Sequence, residues 1–574
     1  MAEAIISPGS FNIESDQSLY TQASPSLGAA IVGPTVKGRP FVPTYVTTYT
    51  QYLSIFGDVF KSGSYYYEYF TSQAAKEYFQ NGGNSLLVTR IISGSSNAGV
   101  YATANTPAYV AVNPILTSSF QLETLSWGDS MNNTSSLTSG ALANGTSNNV
   151  RWEVTNVSTG SGIFTLVIRR GDDNDNQKNI LETWANLSLD PQLPNYITRV
   201  IGDAKPTYDS TNNYVFFSGS YGNASQYVRV SSVTIPQVDS IDNNGNFKAS
   251  QYSASLPAVG SGSFGGSFSG GVADTGLVKN MNENITITNI QGFGTVDYNT
   301  AFTLLSNKDE YRFNVLLAPG VGLDCASVTN MISCVEGRGD AIAITDSGKF
   351  GTSPSTAATN ASGQSSNYGA TYYPWIQLYS SGLGKSTWCP PSTVIGGVLA
   401  FNDSVGAEWF APAGLKRGGI PSIVRLERRL QQTERDPLYA ANVNPIANFP
   451  GAGAVVWGQK TLQRKPTALD RVSVRRLLIS LKDFIGGVSR GLVFEQNTTV
   501  TRNSFLSKVN PYLESVVQRQ GLYAYKVVMD ESNNTADIID RNQLVGQIYI
   551  QPTRTAEFII LNFNILPTGA TFGA

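Results

Sequence analysis

The residue types that could do chemistry are few, and their spacing argues against most reactions. No histidine occurs in the 574 residues, which removes the usual general base near neutral pH, the commonest metal ligand and any nucleophile activated by imidazole. The three cysteines, Cys325, Cys334 and Cys389, are odd in number and have no C-x-x-C spacing. They indicate neither a disulfide framework nor a zinc site and read as reduced packing residues. Gly382, Leu383, Gly384, Lys385, Ser386 and Thr387 end like a phosphate-binding loop, but the position that requires the first glycine is Tyr379, so the backbone cradle is incomplete. Asp172, Asp173 and Asp175 have the composition of a calcium loop, yet Gln177 stands where the turn glycine is needed and no glutamate closes the loop. A hairpin turn after a strand ending at Arg169 accounts for them better. The glycine cluster from Gly260 to Gly271 opens onto no helical pattern and reads as a loop. These absences predict a protein that is not an enzyme and carries no cofactor and no metal.

One charged cluster survives this test. Arg471, Arg475, Arg476 and Lys482 lie along a segment whose apolar residues Val474, Leu477, Leu478, Leu481 and Ile485 follow helical spacing. A basic helix face of this kind suits a polyanion, a solvated surface or an acidic protein partner, and the cluster alone leaves the three open. The cluster belongs to a strongly basic stretch. Lys416 to Arg519 holds 17 basic and 7 acidic residues, a balance of +10, whereas Ser96 to Leu305 holds 9 and 15, a balance of −6. The two regions should face different partners.

The elements that must position these residues come from periodicity. Ala29 to Val32 reads as a short buried strand and Tyr66 to Phe79 as a helix with Tyr66, Phe70, Ala74 and Tyr78 on one face, stopped by Asn81, Gly82 and Gly83. Leu86 to Ile92 follows as a β-branched strand. From Ser93 to Asn307 the text is rich in Ser, Asn, Thr and Gly, with short alternating runs at Ile163–Ile168 and Tyr227–Ile235, which predicts an inserted β domain. Phe313 to Ala318 is a strand, Cys325 to Val335 a helix capped by Asp324, and Ala341 to Thr345 the next strand, giving an α/β middle region. A second C-terminal helix runs through Phe505, Val509, Leu513, Val516 and Val517 to Gly521, with Pro511 kinking it or beginning its main part. Strands at Leu522–Met529, Gly546–Gln551 and Glu557–Ile565 close the chain.

Length predicts three or four domains at a typical ~150 residues each. The expected division is a linker arm at 1–22, a middle domain split between 23–92 and 308–410, a β-rich surface insertion at 93–307, a C-terminal domain at 411–552 and a second arm at 553–574. The fold class is therefore α+β and multidomain. Only 14% of residues are charged, against a usual share of about 25%. That surface, covered by uncharged polar residues and 55 glycines, suits a permanent neighbour in an assembly better than a protein kept apart by charge. Met1 to Phe11 has neither a basic nor an apolar leader pattern and no run is long enough to span a bilayer, so synthesis and retention in the cytoplasm before assembly are expected.

Several short pieces occur together in a telling order. Tyr372, Tyr373, Pro374 and Trp375 precede Pro390, Pro391 and Ser392 with Gly396, Gly397 and Val398, and then Ala411, Pro412, Ala413 and Gly414. Val455, Val456, Trp457 and Gly458 follow with Thr461 and Leu462, then Val472–Leu477, Val493–Asn497, Ile548–Pro552 and Ala556, Glu557, Phe558 and Ile559. Near the start stand Pro8 and Gly9, Ile31–Pro34, Phe56 and Gly57, and Asn81–Gly83 with Val88 and Arg90. In this order and spacing the chain resembles the tail sheath family of contractile phages over roughly residues 1–92 and 310–574. It departs at Lys460, where arginine is more usual, and over Ser93–Asn307, to which the resemblance does not extend.

The resemblance implies a structural subunit that polymerises on itself as stacked hexameric rings around a tail tube, joins a baseplate and a tail terminator, and contracts to drive the tube through a host envelope during genome ejection. It implies a place in the virion tail after assembly in the host cytoplasm, with neither nucleic-acid binding nor membrane insertion. It also implies strands donated between subunits. The residues suited to that are Ile5, Ile6, Phe11 and Ile13 at one end and Phe558, Ile559, Ile560, Leu561 and Phe563 at the other, because a β-prone run near a free end is an aggregation hazard unless a neighbour pairs with it. With a sheath, Arg471, Arg475, Arg476 and Lys482 are expected to face an acidic tube. Two alternatives stand beside this reading: the sheath of a bacterial contractile injection system of the pyocin type, and a glycan-binding β protein using the insertion.

Overall fold

The computed structural model describes residues 28–62, 64–92, 110–112, 120–133, 140–158, 161–209, 211–233, 244, 256–257, 266–268, 271, 289–291 and 293–560. The arm residues Ile5, Ile6, Phe11, Ile13, Leu561 and Phe563 lie outside them. The largest unit is an eight-stranded sheet in the order Thr44–Val46, Leu86–Arg90, Ala29–Gly33, Val315–Gly322, Ile342–Asp346, Gly369–Tyr373, Val443–Phe449 and Gly453–Val456. Its six central strands run parallel and each edge strand antiparallel. Ala30 lies opposite both Leu87 and Leu316, so two segments more than 200 residues apart in sequence form one sheet. Every residue of Ala29–Gly33, Leu86–Arg90, Val315–Gly322, Ile342–Asp346 and Gly369–Tyr373 is buried, as a parallel sheet covered on both faces requires. Their near-continuous Ala, Ile, Leu and Val content follows from that.

Helices Phe70–Gln80 and Ser392–Val405 pack together over this sheet, as do Thr295–Leu305 and Ser327–Arg338. The paired glycines of the second helix let it approach closely. A Cβ at Gly397 would lie 2.7 Å from the Glu77 carbonyl oxygen, and one at Gly396 would lie 2.6 Å from Leu317 Cδ1.

Four sequence expectations are corrected here. Tyr66 lies in a strand, Tyr65–Glu68, paired with Val59–Ser62, and the helix begins only at Phe70; a run of three tyrosines prefers a pleated ribbon to a helical start. Asp324 does not cap the following helix, which starts at Ser327 after Ala326; its carboxylate instead accepts from the Lys349 amide at 3.3 Å. The insertion ends earlier than 307, because Tyr298, Ala301, Phe302, Leu304 and Leu305 of the helix Thr295–Leu305 are part of the main sheet's core. The C-terminal domain begins later than 411, because Val443–Phe449 and Gly453–Val456 are strands of the main sheet.

Within the insertion, the antiparallel sheet Val150–Ser158, Ile163–Arg170 and Ile180–Ser188 faces a second one built from Val110–Val112, Phe120–Thr124 and Val228–Val233. They share a separate core in which Phe120 stacks on Phe164 at 5.6 Å beside Trp152, Leu166 and Val230. The aspartates after Arg169 form the hairpin turn. Asp173 accepts from Arg169 Nε and Nη2 at 2.7 and 2.9 Å, which occupies both its oxygens. The segment with the phosphate-loop ending is the turn between strands Ile376–Ser380 and Lys385–Cys389.

The C-terminal unit joins helices Val472–Arg490 and Thr499–Gln518 to a sheet that has two strands among the described residues, Leu522–Val528 and Gln547–Pro552. Leu477, Leu481, Phe505, Val509, Leu513 and Val516 form its core. The second helix runs through Pro511 as one element, capped by Thr498, whose side chain accepts from the Thr501 amide. No helix among the described residues is long and apolar enough to cross a membrane, and no group of three or more His, Cys, Asp or Glu residues there could hold a metal ion.

Candidate assembly surface

Two features of the C-terminal unit can engage a neighbour. The first is its two-stranded sheet. Among the described residues no further strand pairs with the outer edge of Leu522–Val528 or of Gln547–Pro552, and Tyr523 and Tyr549 on these strands are 66% and 56% exposed. A two-stranded ribbon is marginal by itself, and each open edge presents unpaired backbone donors and acceptors to another strand. The second is the segment after Pro552. It has no regular structure through Ile560, and Phe558, Ile559 and Ile560 are 78%, 77% and 83% exposed. Three consecutive large apolar side chains thus stand open to water, the kind of run from which contact surfaces are built. The expected strand from Glu557 onward is not a strand over 557–560, which pairs with no other strand among the described residues.

Just before that exposed run the chain is fastened. Glu557 accepts from Arg471 Nε and Nη2 at 2.7 and 2.9 Å and from Tyr439 Oη at 2.7 Å. Gln459 Nε2 reaches both Glu557, at 3.2 Å, and Thr555 Oγ1, at 2.6 Å. Burial opposes ionisation of Glu557, but the Arg471 and Tyr439 hydrogen bonds and the Arg471 charge outweigh it and hold the carboxyl below its usual range. Sequence reading did not single out Tyr439, Gln459 or this role of Glu557. The signal available was that Glu557 is the lone acidic residue after Asp540.

The basic cluster does not form one exposed face. Arg476 is 2% exposed and pairs through both terminal nitrogens with Asp403 at 2.7 and 2.6 Å. Burial alone would lower its pKa, but Asp403 more than compensates and the guanidinium is held charged. Arg475 is 3% exposed, lies over the Tyr368 ring at 3.9 Å and donates to Asn367 Oδ1 at 3.3 Å. Arg471 is taken by Glu557 and by Asp470 at 3.1 Å. Lys482 alone of the four is exposed. The Val472–Arg490 helix is wedged between the main sheet's core, which takes Val472 and Ile479, and the C-terminal core, which takes Leu477 and Leu481. Helical spacing showed one apolar face where the structure has two buried sides.

Comparison with known proteins is consistent with this division of the chain. The phage tail sheath protein central domain matches residues 291–462, and the phage tail sheath C-terminal domain matches residues 464–566. Over residues 291–462 and 464–566 the chain carries the central and C-terminal domains of the phage tail sheath family. The sheath central domain starts where the chain returns to the main core near Phe293 and ends at Leu462, whose amide donates to Gly369 O at 2.8 Å. The sheath C-terminal domain contains both helices, the open sheet and Glu557.

The tail sheath protein of Enterobacteria phage T4 is 41% identical over 185 residues, which is 32% of this chain and 28% of that one. The tail sheath protein of Vibrio phage KVP40 is 39% identical over 188 residues, 33% of this chain and 28% of that one. The chain thus matches less than a third of the length of these sheath relatives. Its fold aligns with the sheath tail protein of Listeria innocua at a TM-score of 0.53 over 92% of this chain and 95% of that one, at 11% identity. Lys460, the departure from the sheath pattern, donates to Tyr439 O at 2.8 Å and sits 4.4 Å from the centre of the Tyr439 ring. It thereby braces one of the residues that fasten Glu557.

Proposed function

We propose that this chain is a structural, non-catalytic subunit of a contractile tail sheath, polymerising as stacked hexameric rings around a tail tube and linked by exchanged strands. The observation that carries this reading is the pairing of an open two-stranded sheet with an exposed apolar run in the same C-terminal unit. Phe558–Phe563 of one subunit, and the N-terminal run holding Ile5, Ile6, Phe11 and Ile13 of another, are suited to extend Leu522–Val528 and Gln547–Pro552 in a neighbour. Each backbone hydrogen bond so made contributes about 0.5–1.5 kcal/mol, so a strand of several residues holds a subunit while leaving its body free to rotate on the tether.

Contraction in this scheme draws on a kinetically trapped extended lattice that gains contact area when the baseplate rearranges, and no nucleotide step is involved. The tail tube, baseplate and terminator are the partners, the virion tail is the location, and assembly takes place in the host cytoplasm. Of the four basic residues expected to face the tube, Lys482 is the one whose exposure supports that role, since the other three are engaged within the subunit.

Negative-stain electron microscopy of the full chain beside a variant ending at Pro552 tests the proposal. Hollow striated tubes from the full chain, with only monomers or short rings from the variant, is the expected result. Monodisperse monomers in both at high concentration would contradict it.

A further inference from the structure

The segment 553–560 is held in an unusual way. It has no secondary structure, and cavities of about 410 and 500 Å³ flank it, both lined by Thr555, Ala556, Glu557 and Phe558. Close packing therefore does not fix its course. Thr553 is tied to Gln520 and Gly521 of its own unit; beyond it, what fixes the course is the set of hydrogen bonds to Glu557 and Thr555, and their donors come from three separate places. Tyr439 stands on the helix Gln432–Ala440 of the central domain, Gln459 follows the last strand of the main sheet, and Arg471 is the residue before the helix Val472–Arg490. Glu557 is thus gripped at the seam between the two sheath domains, and the exposed run starts at the very next residue. Composition agrees, since from Thr553 to the end of the sequence the charged residues are Arg554 and Glu557 alone.

We propose that Glu557 is the positioning residue of the C-terminal arm, a latch that sets where and in what direction the donated strand leaves the subunit. The inference rests on the strand-exchange reading above. Its physical content is geometric. Phe558–Phe563 can extend at most ~20 Å at about 3.3 Å per residue, so with Glu557 fixed the accepting edge of the neighbour must come within that distance of the Arg471–Tyr439 seam. With Glu557 free, the pivot retreats to Thr555, held by Gln459, or to Thr553, whose hydroxyl donates to Gln520 O at 2.8 Å, and the free tether lengthens by up to the span from Arg554 to Glu557. A tether whose origin wanders by that much cannot define one lattice spacing. The donors also couple the latch to domain arrangement: a shift of Tyr439 relative to Arg471 changes the grip on Glu557 and re-aims the arm.

The test uses the full chain with a nitroxide label at Ile560→Cys, which is 83% exposed, while the native cysteines are 3%, 7% and 0% exposed and do not compete for label. Spectra are recorded at a concentration below that at which tubes form, and tubes are then grown from the same material. In the otherwise unchanged chain the label should report restricted motion. Glu557→Gln, and separately Tyr439→Phe, should raise the mobile fraction roughly tenfold for Glu557→Gln and less for Tyr439→Phe, as loss of charge-assisted bonds implies, with melting temperature unchanged and tubes fewer or irregular in spacing. Identical spectra in Glu557→Gln and its parent would overturn the latch, whatever the tubes do. A label freed by Glu557→Gln in a chain that never forms tubes would support the latch and contradict the sheath reading instead.

Discussion

At the residue scale, two cationic side chains six positions apart play opposite parts. Arg476 is a buried member of an ion pair, whereas Lys482 is a solvated cation. Removing Arg476 breaks two charge-assisted hydrogen bonds to the part-exposed Asp403 and costs about 1.5–3 kcal/mol, while an exposed substitution stays within about 0.5 kcal/mol. Arg476→Ala is therefore expected to lower the denaturant midpoint of the soluble subunit markedly, and Lys482→Glu to leave it unchanged while weakening decoration of an acidic tube. Co-sedimentation with tube protein, run beside the unfolding curve, checks both halves. The sequence displays four cations on one stretch. It does not display that Asp403 lies 73 positions and Glu557 86 positions from the arginines they hold, so the pairing of Arg471 and Arg476 within the subunit was not legible from local pattern. The absence of histidine, by contrast, needs no structure to interpret.

At the element scale, the hairpin Val59–Ser62 and Tyr65–Glu68 docks against the helix Phe70–Gln80 and the strand Lys385–Cys389 through a buried polar joint. Ser72 and Tyr49 donate to Asp58, Gln73 Nε2 donates to Glu68 at 3.1 Å and to Thr387 Oγ1 at 2.9 Å, and Cys389 Sγ contacts Gln73 Oε1. Burial first, and the neighbouring Asp58 carboxylate second, raise the Glu68 carboxyl to about 7. Because the folded state holds this proton more tightly than the unfolded chain, the stabilisation is complete below an ordinary glutamate pKa of about 4.3 and is lost as pH rises through the folded value near 7. Unfolding free energy measured from pH 5 to 8 is expected to fall with pH in the native chain and to fall less in Glu68→Gln. Equal slopes in the two would contradict this account of the joint. The tyrosine run that enters this hairpin also shows where periodicity misleads. Tyr66, Phe70, Ala74 and Tyr78 satisfy helical spacing, but Tyr66 pairs with Lys61 across a ribbon and is exposed. Strands such as Ala29–Gly33 and Ile342–Asp346 were legible because full burial on two faces demands an unbroken apolar run.

At the scale of the whole molecule, the chain is a sheet domain interrupted by a β insertion and followed by a smaller unit with an unfinished sheet. Polar, turn-rich composition marked the insertion's start, but its end was obscured because the helix Thr295–Leu305 follows an Asn- and Thr-rich stretch while its buried face belongs to the main core. The boundary before the C-terminal unit was obscured for the converse reason. The last two strands of the main sheet arrive late in the chain, and only their pairing with Gly369–Tyr373 and with each other assigns them.

The central claim is that subunits are joined by arms completing that unfinished sheet, and it can be read directly by crosslinking two chains that each carry one added, exposed cysteine beside the three buried native ones. One carries Tyr549→Cys on the open sheet, the other Ile559→Cys on the arm, both sites being 56% or more exposed. Mixed, polymerised and oxidised, the pair is expected to give a disulfide-linked heterodimer that neither chain gives alone and that disappears when the arm donor ends at Pro552. Tubes that form without any such crosslink, with the arm cysteine still freely reactive, would contradict the account.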